Sequence, residues 1–392
     1  VIKYTTELST LVKAQEAAAK RIAGFERLFK VPESQFGDLV ECAEEVELKR
    51  SLWVGLREWS EVTEGWRAQK FFELNESDLD EKVQRFTKLS FKVERGLPSN
   101  RVVPKLKDAV KDFKHLVPCI KSLRNTALKD RHWKKIEEAM GTALTRDENF
   151  TLGVLLNLKI MEHMNAIGAI STEATQEQAL EELMLKVQRK WADIEFVVSP
   201  YKDTKDVYIL GSLDDIMVAL EDSMVTMTTI LASRFVSGIR AEVDKLNRQL
   251  RLFSDTLDEW TAVQKTWMYL ESIFSAPDIQ RQLPNESKAF FAVDKSYRDI
   301  MRRVRDRPSA LQAGTTPGWR EQFQKSNDTL ERVQKQLEDY LETKRMAFPR
   351  FYFLSNDELL EILAQTKNVQ AVQPHMSKCF DGIASLDFGD DP

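Results

Sequence analysis

The chain has 392 residues, 57 of them basic and 62 acidic, for a net charge of −5; 42% are hydrophobic and 30% charged. So even a balance argues against a general nucleic-acid binder, which shows a basic stripe; no apolar run approaches the ~20 residues that span a bilayer, and no basic-then-apolar opening marks a secretory signal. With 14 glycines and 12 prolines, and a length beyond one hydrophobic core, two to four helical subdomains of a soluble, intracellular protein are expected.

The first helix covers residues 1–30, with Leu8, Leu11, Val12, Ala19, Ile22, Phe25 and Leu28 as its apolar set. It ends at Val31-Pro32, because proline disfavours helix in the residue before it. A second helix, Phe36 to Ala68, carries Leu52, Trp53, Trp59 and Trp66. A third follows the capping stretch Asn75 to Asp78 and ends before Gly96. The loop Gly96 to Pro104 is the first boundary signal, after which a helical pattern runs from Lys105 through Leu123 into Arg131-His132-Trp133. Turn signals fill residues 141–153, and Ala174 to Trp191 is helical again.

The period then changes. Glu195 to Val198 and Val207 to Leu210 are short β-prone runs around the polar loop Ser199 to Asp206, which predicts a hairpin. Gly211-Ser212 closes it, with Ser212 placed to cap the Met-rich helical segment that follows, Met217 to Ile239. Lys245 to Phe274 is the longest uninterrupted pattern. Leu246, Leu250, Phe253, Leu257, Trp260, Val263, Trp267, Leu270 and Phe274 follow one another at steps of three or four, all on one helical face. A helix of that length spans about 45 Å. Beyond it come a turn from Ser275 to Pro284, a helix from Asn285 to Val304, and a loop from Arg305 to Trp319. A charged helix over 320–345 leads to the aromatic run Arg350 to Leu354, expected partly buried. A short helix from Asp357 to Gln365, capped by Asn356, precedes a fraying end at 389–392.

The fold class expected is mainly α: an elongated rod of packed helical-bundle subdomains with one small β-hairpin insert. A rod exceeds the radius of gyration of a compact chain of this length, ~21 Å. Subdomain boundaries are expected at 1–100, 101–212 (with the hairpin near 195–211), 213–304 and 305–392. The tryptophans at 133, 191, 260 and 319 are spaced too irregularly for a helical repeat array.

Signatures of chemistry are missing. No GxxxxGK[ST] loop is present, and Gly318 to Ser326 lacks the second glycine that closes a phosphate cradle. Asp387-Phe388-Gly389 spells a kinase triplet without the Gly-rich loop or HRD that must precede it. His115, His132, His163 and His375 form no HxxxH, HExxH or HxH pair, and no GxSxG elbow occurs. Cys42, Cys119 and Cys379 are odd in number and far apart, as buried free thiols in a reducing compartment would be. No catalytic, cofactor-binding or metal-binding residue emerges.

Three features could carry interaction. Met217, Met224 and Met227 with Leu213, Ile216 and Leu220 form either a pliable binding face or an ordinary core, the plainer reading. Arg302, Arg303, Arg305 and Arg307 could meet an acidic surface, although Asp299 and Asp306 partly neutralise them. Arg131-His132-Trp133 reads as a structural knot in which His and Arg satisfy buried carbonyls beside the indole.

Several strings carry a resemblance: DRHWKKI (130–136), FVVSPYKDTKDVYILGSLDDI (196–216), WTAVQKTWMYLESIF (260–274), IQRQLPNESKAF (279–290) and YLETKRMAFPRFYFLSNDELLEIL (340–363). They resemble the linker region of dynein heavy chains, in tone the axonemal type. The resemblance covers most of the chain and is weakest before residue 50. It makes Arg131, His132, Trp133, Trp260 and Trp267 a structural family motif. It also implies a mechanical role: a helical arm joined to the first module of an AAA+ ring, bending as the ring hydrolyses ATP. ATP and Mg would belong to the ring, leaving no cofactor here. Partners would be the ring of the same heavy chain, other dynein chains through the N-terminal tail, and microtubules only indirectly, in the cytoplasm and the axoneme of a cilium or flagellum. Phe351, Tyr352 and Phe353 are candidates for the ring junction, and Gly211 and Gly238, within 205–245, for the bend. The absence of a starting Met and the acidic stub suggest a piece of a longer protein. A helical scaffold without force production is the other reading; a nucleotide loop encoded downstream would separate the two.

Overall fold

The computed structural model describes residues 1–147, 149–202, 206–365, 368–383 and 385–388. Among these the fold is mainly α, with fifteen α-helices and a single two-stranded sheet. The chain forms two compact units, residues 1–178 and 179–392. The expected fraying of 389–392 lies outside the described residues.

The first unit holds α1 (Ile2–Leu28), α2 (Gly37–Ala68), α3 (Glu76–Gly96), α4 (Val102–Leu123), α5 (Asp130–Met140), α6 (Leu152–Asn157) and the beginning of α7 (Met164–Asp193). Its helix starts are written in side chains. The Asn75 carboxamide oxygen accepts the Ser77 and Asp78 N–H groups at 3.0 and 3.2 Å, capping α3. Asn100 does the same for Val102 and Val103, at 3.0 and 2.9 Å. The helix therefore begins before Pro104 instead of after it; proline is harmless in a first turn, where its missing N–H has no partner to lose. The helical pattern expected to run from Lys105 into Trp133 is broken after Leu123. There Asn125 turns the chain by accepting the Ala127 N–H at 3.0 Å and donating to the Ser171 carbonyl at 3.0 Å. Gly141, at φ 68°, ends α5 in the left-handed conformation that favours glycine. Trp59, Trp66, Phe86 and Phe113 form the aromatic centre, with ring centroids 5.0–6.1 Å apart.

The second unit holds the rest of α7, β1 (Val198–Pro200), β2 (Tyr208–Leu210), α8 (Asp214–Ala232), α9 (Arg240–Phe274), α10 (Pro277–Gln282), α11 (Pro284–Asp306), α12 (Ala310–Gly314), α13 (Trp319–Ala347), α14 (Asn356–Ala364) and α15 (Met376–Cys379). Its core is threaded on α9. All nine residues of the predicted stripe are buried, none more than 4% exposed. Each such side chain contributes roughly 1.5–3 kcal/mol of burial. Helices α8, α11, α12 and α13 pack round it.

Two predicted loops and one strand boundary are corrected. Ser275 to Pro284 is not a plain turn: Pro277 starts α10 and Pro284 starts α11, each at the first helical turn. The stretch Arg305 to Trp319 contains α12, whose Gly314 lies so close to α9 that a Cβ there would fall 2.3 Å from the Phe253 ring. The hairpin exists, antiparallel with Val198 opposite Leu210 and Pro200 opposite Tyr208, but starts later than predicted. Glu195 bridges Ser309 instead, and the Phe196 N–H bonds the Pro308 carbonyl at 2.7 Å, so the first β-prone run divides between two partners. At α8 the N-cap position falls at Leu213, one residue after the expected Ser212, whose hydroxyl accepts the Asp214 N–H at 3.4 Å. At α14 the cap is Ser355, not Asn356: its hydroxyl accepts the Glu358 N–H while the Glu358 carboxylate accepts the Ser355 N–H at 2.9 Å.

Candidate functional site

In the first unit the Arg131-His132-Trp133 knot forms round a residue the sequence reading missed. The α7 carboxylate of Glu177 is 2% exposed and accepts a hydrogen bond from the Arg131 guanidinium. His132 uses Nδ1 to accept the Lys129 N–H at 3.1 Å, which leaves the neutral ring's proton on Nε2, 3.5 Å from Glu177 Oε1. Burial holds the imidazole pKa below its ordinary 6.5, opposed by the nearby Glu177 charge. The knot thus neutralises a buried carboxylate, a correction to the expected satisfaction of carbonyls. Glu177 could have been suspected, since it extends the buried sequence Ile167, Ser171, Ala174 at helical spacing. Trp133 is buried alongside, with the Arg146 guanidinium 5.2 Å from its ring centre.

In the second unit Trp260 and Trp267, one heptad apart on α9, differ in their polar ends. Trp267 Nε1 donates to Asp294 at 2.9 Å, and the Arg298 Nε donates to the same oxygen at 2.7 Å. The Trp260 Nε1 is buried without a hydrogen bond among the described residues, its ring stacked on Phe323 at 4.9 Å. Between them sits Gln264, which performs an unpredicted task. Its carboxamide accepts the Leu210 N–H at 2.8 Å and donates to the Leu210 carbonyl at 3.0 Å, pairing with β2 as a neighbouring strand would. The Tyr297 hydroxyl donates to the same Gln264 oxygen at 2.6 Å, and burial pushes that phenol's pKa well up. Lys202 and Glu271 pair at 2.6 Å, Tyr201 packs on Trp267, and Arg305 donates to the Tyr208 hydroxyl at 2.6 Å. The hairpin is therefore fastened to α9 and α11 at several points.

The two candidate bend glycines stand in different settings. Gly211 donates its N–H to the Val197 carbonyl at 2.7 Å, and a Cβ there would meet Val197 at 3.1–3.3 Å. It belongs to the fastened hairpin. Gly238 lies in the turn between α8 and α9, flanked by buried Val236 and Ile239. Of the methionine face, Ile216, Leu220 and Met227 are buried in the core, Leu213 and Met224 are half-buried against it, and Met217 is exposed. Of the arginine cluster, Arg302 pairs with Asp299 at 3.0 Å and Arg305 with Asp306 at 2.8 Å and with Tyr208, so these two charges are matched within the fold.

Phe351, Tyr352 and Phe353 form a 3₁₀ turn after α13. Phe351 is half-buried against Phe348, while Tyr352 and Phe353 are exposed, Phe353 at 67%. Tyr352 donates to Glu342 at 2.6 Å, and that bond raises its pKa. Of the cysteines, Cys119 and Cys379 are buried as expected but Cys42 is exposed; burial pushes the Cys119 thiol up to about 12. Among the described residues no group of three His, Cys, Asp or Glu could hold a metal ion, and no helix is long and apolar enough to cross a membrane.

Side chains that fasten helices to one another define the class: a mainly α-helical module with one small hairpin. The model of the family described as dynein heavy chain, N-terminal region 2, matches residues 39–392. The chain is 46% identical over 382 residues, 97% of its length, to dynein axonemal heavy chain 6 of Homo sapiens, of which it spans 9%. It is 35% identical over 380 residues, 96% of its length, to the dynein-1-beta heavy chain, flagellar inner arm I1 complex, of Chlamydomonas reinhardtii, spanning 8% of it. With dynein axonemal heavy chain 2 of Homo sapiens it shares 35% over 386 residues, 97% of its length and 9% of the relative's. The chain belongs to the dynein heavy chain family.

Proposed function

We propose that this chain is the linker of a dynein motor, a lever arm with no chemistry of its own that bends and straightens across an AAA+ ring to drive the power stroke on microtubules. The observation that carries the reading is the family match over residues 39–392, joined to a second unit whose hairpin is fastened to one continuous helix. A lever transmits displacement only as far as its parts hold their geometry, and a helix seated in a packed core does so. ATP and Mg bind in the ring, not here. The names of the relatives support a place in the axoneme of a cilium or flagellum. Partners are the ring of the same heavy chain and, through the tail, other dynein chains; the microtubule is engaged indirectly. Exposed Tyr352 and Phe353, with Phe351 behind them, dock toward the ring. Of the two glycines, Gly238 is the better bend, because Gly211 is held by the hairpin's hydrogen bonds. We retain the four-part division 1–100, 101–212, 213–304 and 305–392 as a proposal about mechanical segments.

The test uses the complete motor. Gly238→Ala, with Ser237→Ala to favour helix, should slow microtubule gliding several-fold while basal ATPase stays within about two-fold of the parent. Unchanged gliding speed would refute the bend at this turn. Gliding that survives replacement of the whole segment by an unrelated helical bundle would refute the lever and leave a passive scaffold.

A further inference from the structure

A protein kinase selects its serine by the charge placed near the hydroxyl and by a backbone free to lie extended in the kinase cleft. In this chain arginine stands three residues before a serine at three places: Arg57 before Ser60, Arg234 before Ser237 and Arg251 before Ser254. Ser60 lies inside α2 and Ser254 inside α9, where the backbone is committed to helical hydrogen bonds. Ser237 lies in the turn between α8, which ends at Ala232, and α9, which begins at Arg240. Both Ser237 and Arg234 are exposed. Among the described residues the Ser237 hydroxyl makes no hydrogen bond, and the Ser237 and Gly238 N–H groups have no backbone acceptor. Arg234 has no acidic partner there; its guanidinium lies 4.6 Å from the Phe235 ring centre.

We infer that Ser237 is a phosphorylation site for an arginine-directed protein kinase, and that Arg234 and the start of α9 hold the phosphate. In the transfer, Ser237 Oγ bonds to the γ-phosphorus of ATP while the bond from that phosphorus to the bridging oxygen breaks, releasing ADP. The hydroxyl proton passes to the kinase's carboxylate base. Buried Val236 and Ile239 tether the turn on either side of the serine. Within it the Val236 N–H bonds the Ser233 carbonyl at 3.3 Å and the Ile239 N–H bonds the Val236 carbonyl at 3.0 Å. Loosening so few bonds is easier than unwinding α2 or α9 round a serine in mid-helix, so the turn is the place a kinase can enter. The phosphate then brings about two negative charges to a segment that carries Arg234 and Arg240 and adjoins the positive end of the α9 dipole. Arg240 is paired with Asp244 at 3.7 Å, a loose contact it can share. Glu242 and Asp244 oppose the added charge, but unpaired Arg234 and the two free N–H groups lie nearer along the chain. Phosphorylation therefore orders the turn.

The experiment incubates the whole chain with Mg-ATP and the catalytic domain of a calcium/calmodulin-dependent protein kinase, which selects arginine three residues before serine. Early phosphate incorporation is mapped by mass spectrometry. Ser237 should be labelled at least about ten-fold faster than Ser60 or Ser254. Arg234→Ala should slow that labelling at least about ten-fold with unchanged thermal unfolding, and Arg234→Lys should restore part of it. Equal rates at the three serines, no labelling of Ser237, or labelling indifferent to Arg234 would each overturn the assignment. In the fully phosphorylated chain, amides of residues 235–240 should exchange with deuterium at least about three-fold more slowly than before; unchanged or faster exchange would overturn the holding of the phosphate. None of these outcomes depends on whether the turn bends, and the bending test, in which Ser237 is replaced, is read on unphosphorylated motor.

Discussion

Two helices of this chain carry long three-four stripes of apolar residues, and the fold treats them oppositely. In the second unit α9 buries its whole stripe among neighbouring helices; in the first, α1 turns its stripe to solvent and packs on α2 through Thr5 and Ser9. Periodicity reports that a helix has an apolar face. It does not report whether that face is buried among the described residues.

The largest expected effect breaks that comparison directly. Trp267→Ala on α9 should cost about 3–5 kcal/mol in urea unfolding followed by far-UV circular dichroism, whereas Phe25→Ala on α1 should stay within about 0.5 kcal/mol. Within α9 the contrast sharpens. Trp267→Phe takes from the buried Asp294 one of its two donors, leaving Arg298, and should cost about 1 kcal/mol more than Trp260→Phe, because the Trp260 N–H has no bond to lose.

The ion knot should come next. Arg131→Ala leaves Glu177 buried with only a neutral histidine nearby, and about 2 kcal/mol of destabilisation is expected, reduced from the cost at a fully buried pair because the Arg131 side chain is 38% exposed. The same unfolding measurement checks it, and Arg131→Lys should recover part of the loss. A smaller, local effect is expected from Gln264→Leu, which removes both bonds to Leu210. Backbone amides of residues 206–210 should exchange with deuterium about ten-fold faster, while those of α9 keep their protection.

The smallest effect is one of pH. The Lys378 ammonium and the Ser355 N–H lower the Glu358 pKa from 4.5 to about 2. A depressed carboxylate stabilises the fold fully above its unfolded pKa and loses that contribution as pH falls through its folded value. Amide protection at Ser355 to Leu359 should therefore hold at neutral pH and decline between about pH 4.5 and 2; a decline that survives Glu358→Gln would assign it to another group. Ser355→Ala should cost about 1 kcal/mol at any pH in which α14 is formed.

The helices were largely legible because their apolar residues recur at 3.6-residue spacing and because proline and asparagine mark their starts. What escaped the sequence was decided by contacts between residues distant along it. Glu195 to Val198 reads as one strand, yet it is divided between Ser309 and β2 because both offer backbone partners. Asn125 breaks a helical pattern by reaching Ser171, which no local rule anticipates. Gln264 looks like an ordinary polar position on α9, and its role appears only when Leu210 lies beside it. Among site residues, His132, Trp133, Trp260 and Trp267 are buried and Arg131 is half-buried, but the partners that explain the polar ones, Glu177 and Asp294, had to be seen.

The central claim is that the turn between α8 and α9 bends while α9 stays straight. Fluorescent labels introduced site-specifically in the complete heavy chain, at exposed Val225 on α8 and exposed Arg251 on α9, should change their energy transfer between the ATP-bound and nucleotide-free states. A reference pair within α9, at Arg251 and Lys265, should keep the same transfer in both states. A fixed Val225–Arg251 transfer through the nucleotide cycle, or a reference pair that moves as much, would contradict it.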